Sequence, residues 1–136
     1  MKYIKYSRCY KYKLTASESY ELGEDWNSIT VNSQYATLHK GILVVARNYA
    51  WDGASWPAID TKTFMRGSLI HDALYQLIRE GHLTSTWKTK SDEALRDICL
   101  KDGMAKWRAA YVYFFVSKFG HGSSRLKKRE TIVYCV

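Results

Sequence analysis

Hydrophobic and polar positions alternate in the first half of this chain, whereas in the second half the hydrophobic positions recur every three to four residues. Alternation predicts half-buried β-strands. The segments with this character are residues 2–14, 28–31, 35–38 and 42–46. The last two flank His39-Lys40-Gly41, a short polar connection that predicts a hairpin. Residues 17–27 are polar and acidic, and we expect a loop there.

The helical spacing of the second half predicts three helices. The first runs from about residue 63 to 80 and stops at Gly81, a residue type that commonly ends helices. The second is expected to begin with Ser91 as its N-cap, to place acidic side chains near the positive end of the helix dipole, and to end near Gly103. The third covers residues 104–119 and is rich in aromatic residues.

Together these elements predict an α+β fold in which an N-terminal antiparallel sheet with hairpins packs on a C-terminal three-helix unit. Residues 131–136 read as a further strand that returns to the sheet. At 136 residues the chain has room for a single domain with one core. Its expected parts are a β-rich region 1–50, a turn-rich connection 48–60, a helical region 61–120, and a basic tail with a strand over 121–136.

Composition bears on the location of the protein and on the state of its cysteines. The chain has no apolar run near the ~18 residues that a membrane span needs, and its first residues lack the apolar block of a signal peptide. We therefore expect a protein of the cytoplasm or of a virion. The cysteines are odd in number and lack metal-ligand spacing, so we expect reduced structural thiols. They are Cys9, Cys99 and Cys135.

The formal net charge is +8, and many of the basic residues lie at the two ends of the chain. Near the start they alternate with tyrosines, as cations and stacking rings do in nucleic-acid binding. An anionic membrane surface or an acidic protein would suit the same charges, and a solvated edge strand has the same alternation. The candidate contacts are Lys11, Lys13, Lys127 and Lys128.

The sharpest chemical signal is His71-Asp72-Ala73-Leu74-Tyr75, followed 21 residues later by Asp92. On a helix, His71 and Tyr75 share a face while Asp72 points about 100° away. A histidine with neighbouring carboxylates can provide a general base, its orienting partner and a metal ligand. This pattern predicts an imidazole nitrogen within about 3.2 Å of an Asp92 oxygen. The alternative is a buried polar network without catalysis.

A second candidate carboxylate is Asp52, in the turn-rich stretch 48–57. We expect Asp52 and Asp72 to face one cavity, where their repulsion should favour a bound divalent cation or a raised pKa on one of them, unless Arg66 inserts and neutralises the pair. Tryptophans flank this carboxylate, and we expect them to be core residues or groove walls, the alternative being platforms for a substrate. They are Trp51 and Trp56.

Several short motifs occur in order over roughly residues 35–120. They are Trp51-Asp52-Gly53-Ala54-Ser55-Trp56-Pro57, Arg66, His71-Asp72-Ala73-Leu74-Tyr75, Ser91-Asp92-Glu93-Ala94, Trp107-Arg108-Ala109 and Phe119-Gly120. In this order they resemble the landmarks of a phage and prophage family catalogued as domain of unknown function 1353. The resemblance implies a phage-type protein and carries no settled activity with it.

A more distant resemblance covers residues 71–98. A His-Asp-x-x-Tyr motif, then a glycine, an aromatic residue and an aspartate that opens a second helix are similar to the catalytic helices of parvovirus-type phospholipase A2 domains. The matching positions are His71, Asp72, Tyr75, Gly81, Trp87 and Asp92. The resemblance implies that His71 activates water, Asp92 orients the imidazole, Tyr75 supports Asp92 and Asp72 binds calcium.

The metal loop departs from that family. Such phospholipases coordinate calcium through backbone carbonyls of a glycine-rich stretch, whereas residues 48–55 contain one glycine and offer the side chain of Asp52. A calcium ion or another divalent cation would need a different geometry here.

Two classes of function follow. The first is a small phage-type hydrolase, phospholipase A2-like, that uses the His71/Asp92 dyad on an ester or lipid substrate. The second is a non-catalytic phage accessory protein that binds a host factor, nucleic acid or a virion component through its basic, aromatic surface, for example as an inhibitor of host machinery.

Overall fold

A computed structural model describes residues 12–51 and 62–119 of the chain. Antiparallel strands occupy the N-terminal part and three helices follow, so the predicted α+β class is confirmed. The predicted strand at 131–136 lies outside the described residues. The elements are β1 (Tyr12–Lys13), β2 (Glu18–Glu21), β3 (Val31–Asn32), β4 (Ala36–His39), β5 (Ile42–Val45), β6 (Ala50–Trp51), α1 (Lys62–Arg79), α2 (Lys88–Lys101) and α3 (Lys106–Phe119).

Four of the strands form one antiparallel sheet in the order β2-β5-β4-β3. The predicted hairpin at its centre is confirmed, with Leu38 of β4 opposite Leu43 of β5 and both fully buried. Lys40 and Gly41 connect the two strands with φ values of 49° and 77°. Two successive left-handed residues match the twist of the strands, which is why short hairpins favour such turns.

The hairpin turn yields a prediction about Gly41. A Cβ at this position would lie 2.7 Å from the Gly23 carbonyl oxygen, in addition to the strain of a positive φ. We expect Gly41→Ala to lower the free energy of unfolding by about 1–3 kcal/mol, measured by urea denaturation. Lys40→Gly is the matched control, because it relieves the strain of a positive φ at the neighbouring residue. We expect it to leave the free energy of unfolding unchanged or to raise it. Equal losses in the two variants would contradict this account.

The predicted loop at 17–27 is wrong, because this stretch contains β2 and a 3₁₀ turn over Glu24–Trp26. β2 pairs along its whole length with β5, and Tyr20 packs against the main core. Trp26 is buried in the same core. The segment is polar in sequence because only one face of an edge strand needs apolar residues, so pairing with β5 decides its structure.

A second, two-stranded sheet pairs β1 with β6. Of the predicted strand at 2–14, the structure describes residues 12–14, and Tyr12 and Lys13 are extended. β6 lies in the stretch expected to be turn-rich. Its last residue, Trp51, is extended because it pairs with Tyr12 of β1. The β-prone stretch 28–31 becomes a strand only from Val31 onward.

The first helix matches its prediction within one residue at each end, and α3 begins two residues later than expected. The predicted start of α2 is wrong. A 3₁₀ turn over Ser85–Trp87 leads directly into α2 at Lys88, so Ser91 lies inside the helix. Its hydroxyl donates to the Trp87 carbonyl oxygen at 2.8 Å rather than capping the helix.

Two buried clusters hold the fold together. The larger joins the inner face of the four-stranded sheet to α1, and the smaller joins α2, α3 and the start of α1. Cys99 is free and buried in the smaller cluster, where burial raises the pKa of its thiol to about 12, as a structural thiol requires. Cys9 and Cys135 lie outside the described residues. Among the helices described, none is long and apolar enough to span a bilayer.

Candidate active site

The candidate site lies where α1 packs against α2. Asp92 of α2 is 1% exposed, and His71 of α1 is also buried. The Nε2 atom of His71 lies 2.7 Å from Oδ1 of Asp92. The predicted contact between these two side chains is therefore confirmed.

The Asp92 carboxylate has two further partners. The Tyr75 hydroxyl donates to Oδ1, the same oxygen that His71 contacts. The Lys88 ammonium donates to Oδ2 at 2.8 Å. A carboxylate deprived of water needs such partners, because an unpaired buried charge is strongly destabilising.

The charge state of Asp92 follows from these contacts. Burial by itself raises the pKa of the carboxyl group, but the hydrogen bonds from His71, Lys88 and Tyr75 outweigh it and hold the pKa below its ordinary value. Asp92 is consequently ionised at neutral pH and can only accept hydrogen bonds. The Nε2 atom of a neutral His71 then carries the proton, and Nδ1 keeps a lone pair.

This charge state predicts acid sensitivity. Because the pKa of Asp92 is lowered in the folded chain, its contribution to stability is complete above the unfolded pKa near 3.8 and is lost as the pH falls through the lower folded pKa. We expect the free energy of unfolding, measured in urea between pH 6 and about pH 2, to fall more steeply below about pH 4 in the wild type than in Asp92→Asn. Parallel curves for the two proteins would contradict this assignment.

Tyr75 supports the carboxylate as a donor. Burial, the hydrogen bond to Asp92 and the negative charge of that carboxylate all raise the pKa of the phenol, so its proton stays in place. The Tyr75 ring also packs on His71, with ring centroids 4.0 Å apart. Spacing of four residues on α1 places both side chains over Asp92, as the sequence predicts.

Lys88 is the member of the site that the sequence prediction missed. Its ammonium group also donates to the carbonyl oxygens of Val116 and Ser117 in the last turn of α3, at 3.2 and 3.3 Å. Lys88 thus ties α3 to the Asp92 carboxylate, which His71 and Tyr75 join to α1. The sequence feature that could have identified Lys88 is its position four residues before Asp92, a spacing at which side chains on one helix meet. The expected helix start at Ser91 placed Lys88 outside α2, so the prediction omitted this contact.

The second ring nitrogen of His71 faces Asp72. Nδ1 lies 4.0 Å from an Asp72 oxygen, too far for a hydrogen bond, and the Asp72 side chain is partly exposed. The imidazole is therefore held at Nε2 by the buried carboxylate, while Nδ1 lies on the side of the more exposed one. A histidine base needs one ring nitrogen fixed by a partner, and Asp92 does this at Nε2.

The described residues do not by themselves fit a calcium ion. Calcium takes six to eight oxygen ligands, whereas residues 12–51 and 62–119 contain no group of three His, Cys, Asp or Glu side chains placed to hold a metal ion. Asp52, the predicted partner of Asp72, lies outside the described residues. The expected Asp52 and Asp72 pair therefore stays a prediction.

Arg66 does not insert beside Asp72, so the alternative in which it neutralises the Asp52 and Asp72 pair does not apply. Its guanidinium instead forms a two-pronged ion pair with Asp102, with Nη2 2.6 Å from Oδ1 and Nε 3.1 Å from Oδ2. Residues five apart on a helix are rotated by about 140°, which turns Arg66 away from His71. The guanidinium also lies over the Tyr20 ring of the sheet.

Among the predicted binding residues, Trp51 belongs to the core. Its ring is buried against Tyr12, and its indole nitrogen donates to the Ser68 hydroxyl of α1 at 3.1 Å. Of the roles predicted for Trp51, the structure shows that of a core residue, because its indole joins the two-stranded sheet to α1. Lys13 is exposed on β1. The other predicted contacts lie outside the described residues: Trp56, Lys11, Lys127 and Lys128.

Comparisons of this chain with protein-family models, with curated proteins and with solved structures found no match. A functional assignment therefore depends on the chemistry of the His71 and Asp92 site and on the short sequence motifs around it.

Proposed function

We propose that this chain is a small hydrolase in which His71 and Asp92 form a dyad that activates water for attack on an ester. The observation that carries the proposal is the bond between His71 Nε2 and a buried, ionised Asp92. Tyr75 and Lys88 hold this carboxylate from both of its oxygens. The resemblance to phospholipase A2 domains suggests phospholipids as the ester class.

The proton transfers of this reaction use His71, oriented by Asp92. Nδ1 of His71 accepts a proton from water while the water oxygen bonds to the ester carbonyl carbon, and the carbonyl electrons move onto its oxygen. When the tetrahedral intermediate collapses, the bond to the alkoxide breaks and Nδ1–H returns the proton to that leaving group. Asp92 stabilises the imidazolium between the two steps without taking a proton itself, as the carboxylate of a catalytic triad does.

A divalent cation is a separate part of this proposal. Bound calcium would stabilise the oxyanion through its charge, and it would require Asp72 together with Asp52. Calorimetric titration with calcium, magnesium and manganese tests whether the protein binds such a cation. Flat isotherms for all three ions would show that the proposed mechanism has no metal ion. Binding that is lost in Asp72→Asn would support a metal ion held by Asp72.

The source and location of the protein belong to the same proposal. The ordered motifs between residues 51 and 120 support membership of the phage family catalogued as domain of unknown function 1353. A phage-encoded hydrolase would act in the infected bacterial cytoplasm or as part of a virion.

The experiment is hydrolysis by the purified full-length chain of a panel of fluorogenic esters and of phospholipid vesicles. We expect release of fatty acid or another ester product, with His71→Ala as the inactive comparison. No turnover on any ester, together with charge-sensitive capture of a host factor, nucleic acid or virion component, would contradict the hydrolase and favour the accessory protein.

A further inference from the structure

The outer face of α3 carries three large aromatic side chains that are exposed to solvent. Trp107 is 74% exposed, Tyr111 is 48% exposed and Phe114 is 54% exposed. Spacings of four and three residues place them within about 60° of one another around the helix. They form a single stripe, which we call the aromatic stripe.

The opposite face of α3 explains the orientation of the stripe. Ala109, Val112 and Val116 pack with α2 in the smaller core cluster. These positions lie about 140–180° around the helix from Trp107 and Phe114. The aromatic stripe therefore points away from the described part of the protein, although burying rings of this size would stabilise any complex that covered them.

The charges on α3 have one sign. The helix contains Lys106, Arg108 and Lys118 and no acidic residue. Lys118 falls within the aromatic stripe, where its ammonium group lies 5.9 Å from the Phe114 ring centroid. A surface that covers the aromatic stripe must therefore accept apolar rings and positive charge together.

We propose that the aromatic stripe docks α3 onto an anionic lipid bilayer, parallel to its surface. Tryptophan and tyrosine rings favour the boundary between headgroups and acyl chains, and a phenylalanine beside them adds apolar area. The long stem of Lys118 lets its ammonium group reach anionic headgroups while the methylenes stay with the rings. The formal net charge of +8 draws the chain toward such a membrane.

Two other occupants fit this face less well. A second copy of the chain would bring cationic helices together, which adds repulsion at the contact. A helix that binds nucleic acid presents cations and polar side chains at the centre of the contact, to reach phosphates and base edges. Here the centre of the contact consists of Trp107, Tyr111 and Phe114, with Lys118 at one end.

The docking proposal does not depend on catalysis. The aromatic stripe contains none of the residues that contact Asp92, so His71→Ala should bind vesicles as the wild type does. A protein without hydrolase activity that still binds vesicles would contradict the proposed function and support membrane docking. The two proposals can therefore fail separately.

The first test is cosedimentation of the full-length protein with vesicles of phosphatidylcholine alone or mixed with phosphatidylglycerol. We expect binding to the anionic vesicles, and roughly a tenfold or larger loss in the double variant Trp107→Ala/Phe114→Ala. The matched control is Ile42→Ala/Val44→Ala, which removes two exposed apolar side chains from β5 and should leave binding unchanged. Because all four positions are exposed, the fold should tolerate both pairs.

The second test separates insertion of the rings from simple charge attraction. Lipids brominated near the headgroup should quench tryptophan fluorescence in the wild type and much less in Trp107→Phe, which keeps an aromatic ring for binding. Lys118→Gln should weaken binding to anionic vesicles about fivefold.

Three results would overturn the proposal. The first is no binding to anionic vesicles. The second is binding that the Trp107→Ala/Phe114→Ala variant retains in full, since charges elsewhere would then account for it. The third is a dimer or an RNA complex that forms without lipid and that the same double variant abolishes.

Discussion

Asp92→Ala should lower the free energy of unfolding by about 3–5 kcal/mol, because it removes the anion from a buried ion pair and leaves the cation in place. Lys88 is buried at this point, and among the described residues two carbonyl oxygens would remain as its hydrogen-bond acceptors. His71 and Tyr75 would lose their shared acceptor as well. Since small domains are stable by only about 5–15 kcal/mol, this loss would remove a large share of the stability.

The same helix provides the control for this prediction. Asp97 of α2 forms an ion pair with Arg96 at 3.3 Å, and its side chain is largely exposed. Asp97→Ala should therefore change stability by less than about 1 kcal/mol. Urea unfolding of both variants gives the comparison, and similar small losses at the two positions would show that Asp92 does not hold the helices together.

A double-mutant cycle then isolates the Lys88 contact. Lys88→Met removes the cation, and Asp92→Asn keeps the shape of the acid without its charge. We expect the double variant to be more stable than the sum of the single losses predicts, by more than about 1 kcal/mol, because neither charge is then left unpaired. Together with the hydrogen bonds from His71 and Tyr75, this contact keeps the buried carboxylate ionised.

The sequence predicts the helical half of the fold well because its apolar residues recur at helical spacing. Leu69, Ala73 and Leu77 follow the helical period on α1, and the structure buries all three. The same regularity places His71 and Tyr75 on one face toward Asp92. Local spacing was sufficient to predict the central contact, because two of its members belong to a single helix.

The errors arise where a distant partner decides the outcome. β2 is polar along its length and becomes a strand because β5 lies beside it. Arg66 turns to Asp102, which is 36 residues away in the chain. Lys88 was missed because a good N-cap residue, Ser91, occurs inside α2 rather than at its start. In each case tertiary packing overrides a local preference.

His71→Ala should lower the rate of ester hydrolysis by about 10²–10⁴, because it removes the base that takes the proton from water. Asp92 would keep Tyr75 and Lys88 as partners, so the loss of stability should be smaller than in Asp92→Ala. Both quantities can be measured on one preparation, with product release for activity and urea unfolding for stability. An active His71→Ala would end the assignment of His71 as the base.

His71→Gln gives a sharper comparison, because a side-chain amide can donate a hydrogen bond to Asp92 but cannot act as a base. If catalysis is the function, His71→Gln should fold nearly as well as the wild type and remain inactive. If the protein is a binding protein instead, reversing the charges of Lys11, Lys13, Lys127 and Lys128 should weaken its association with the partner and flatten its salt dependence. Neither histidine variant would then affect that association except through stability, because a base has no role in an interaction that transfers no proton.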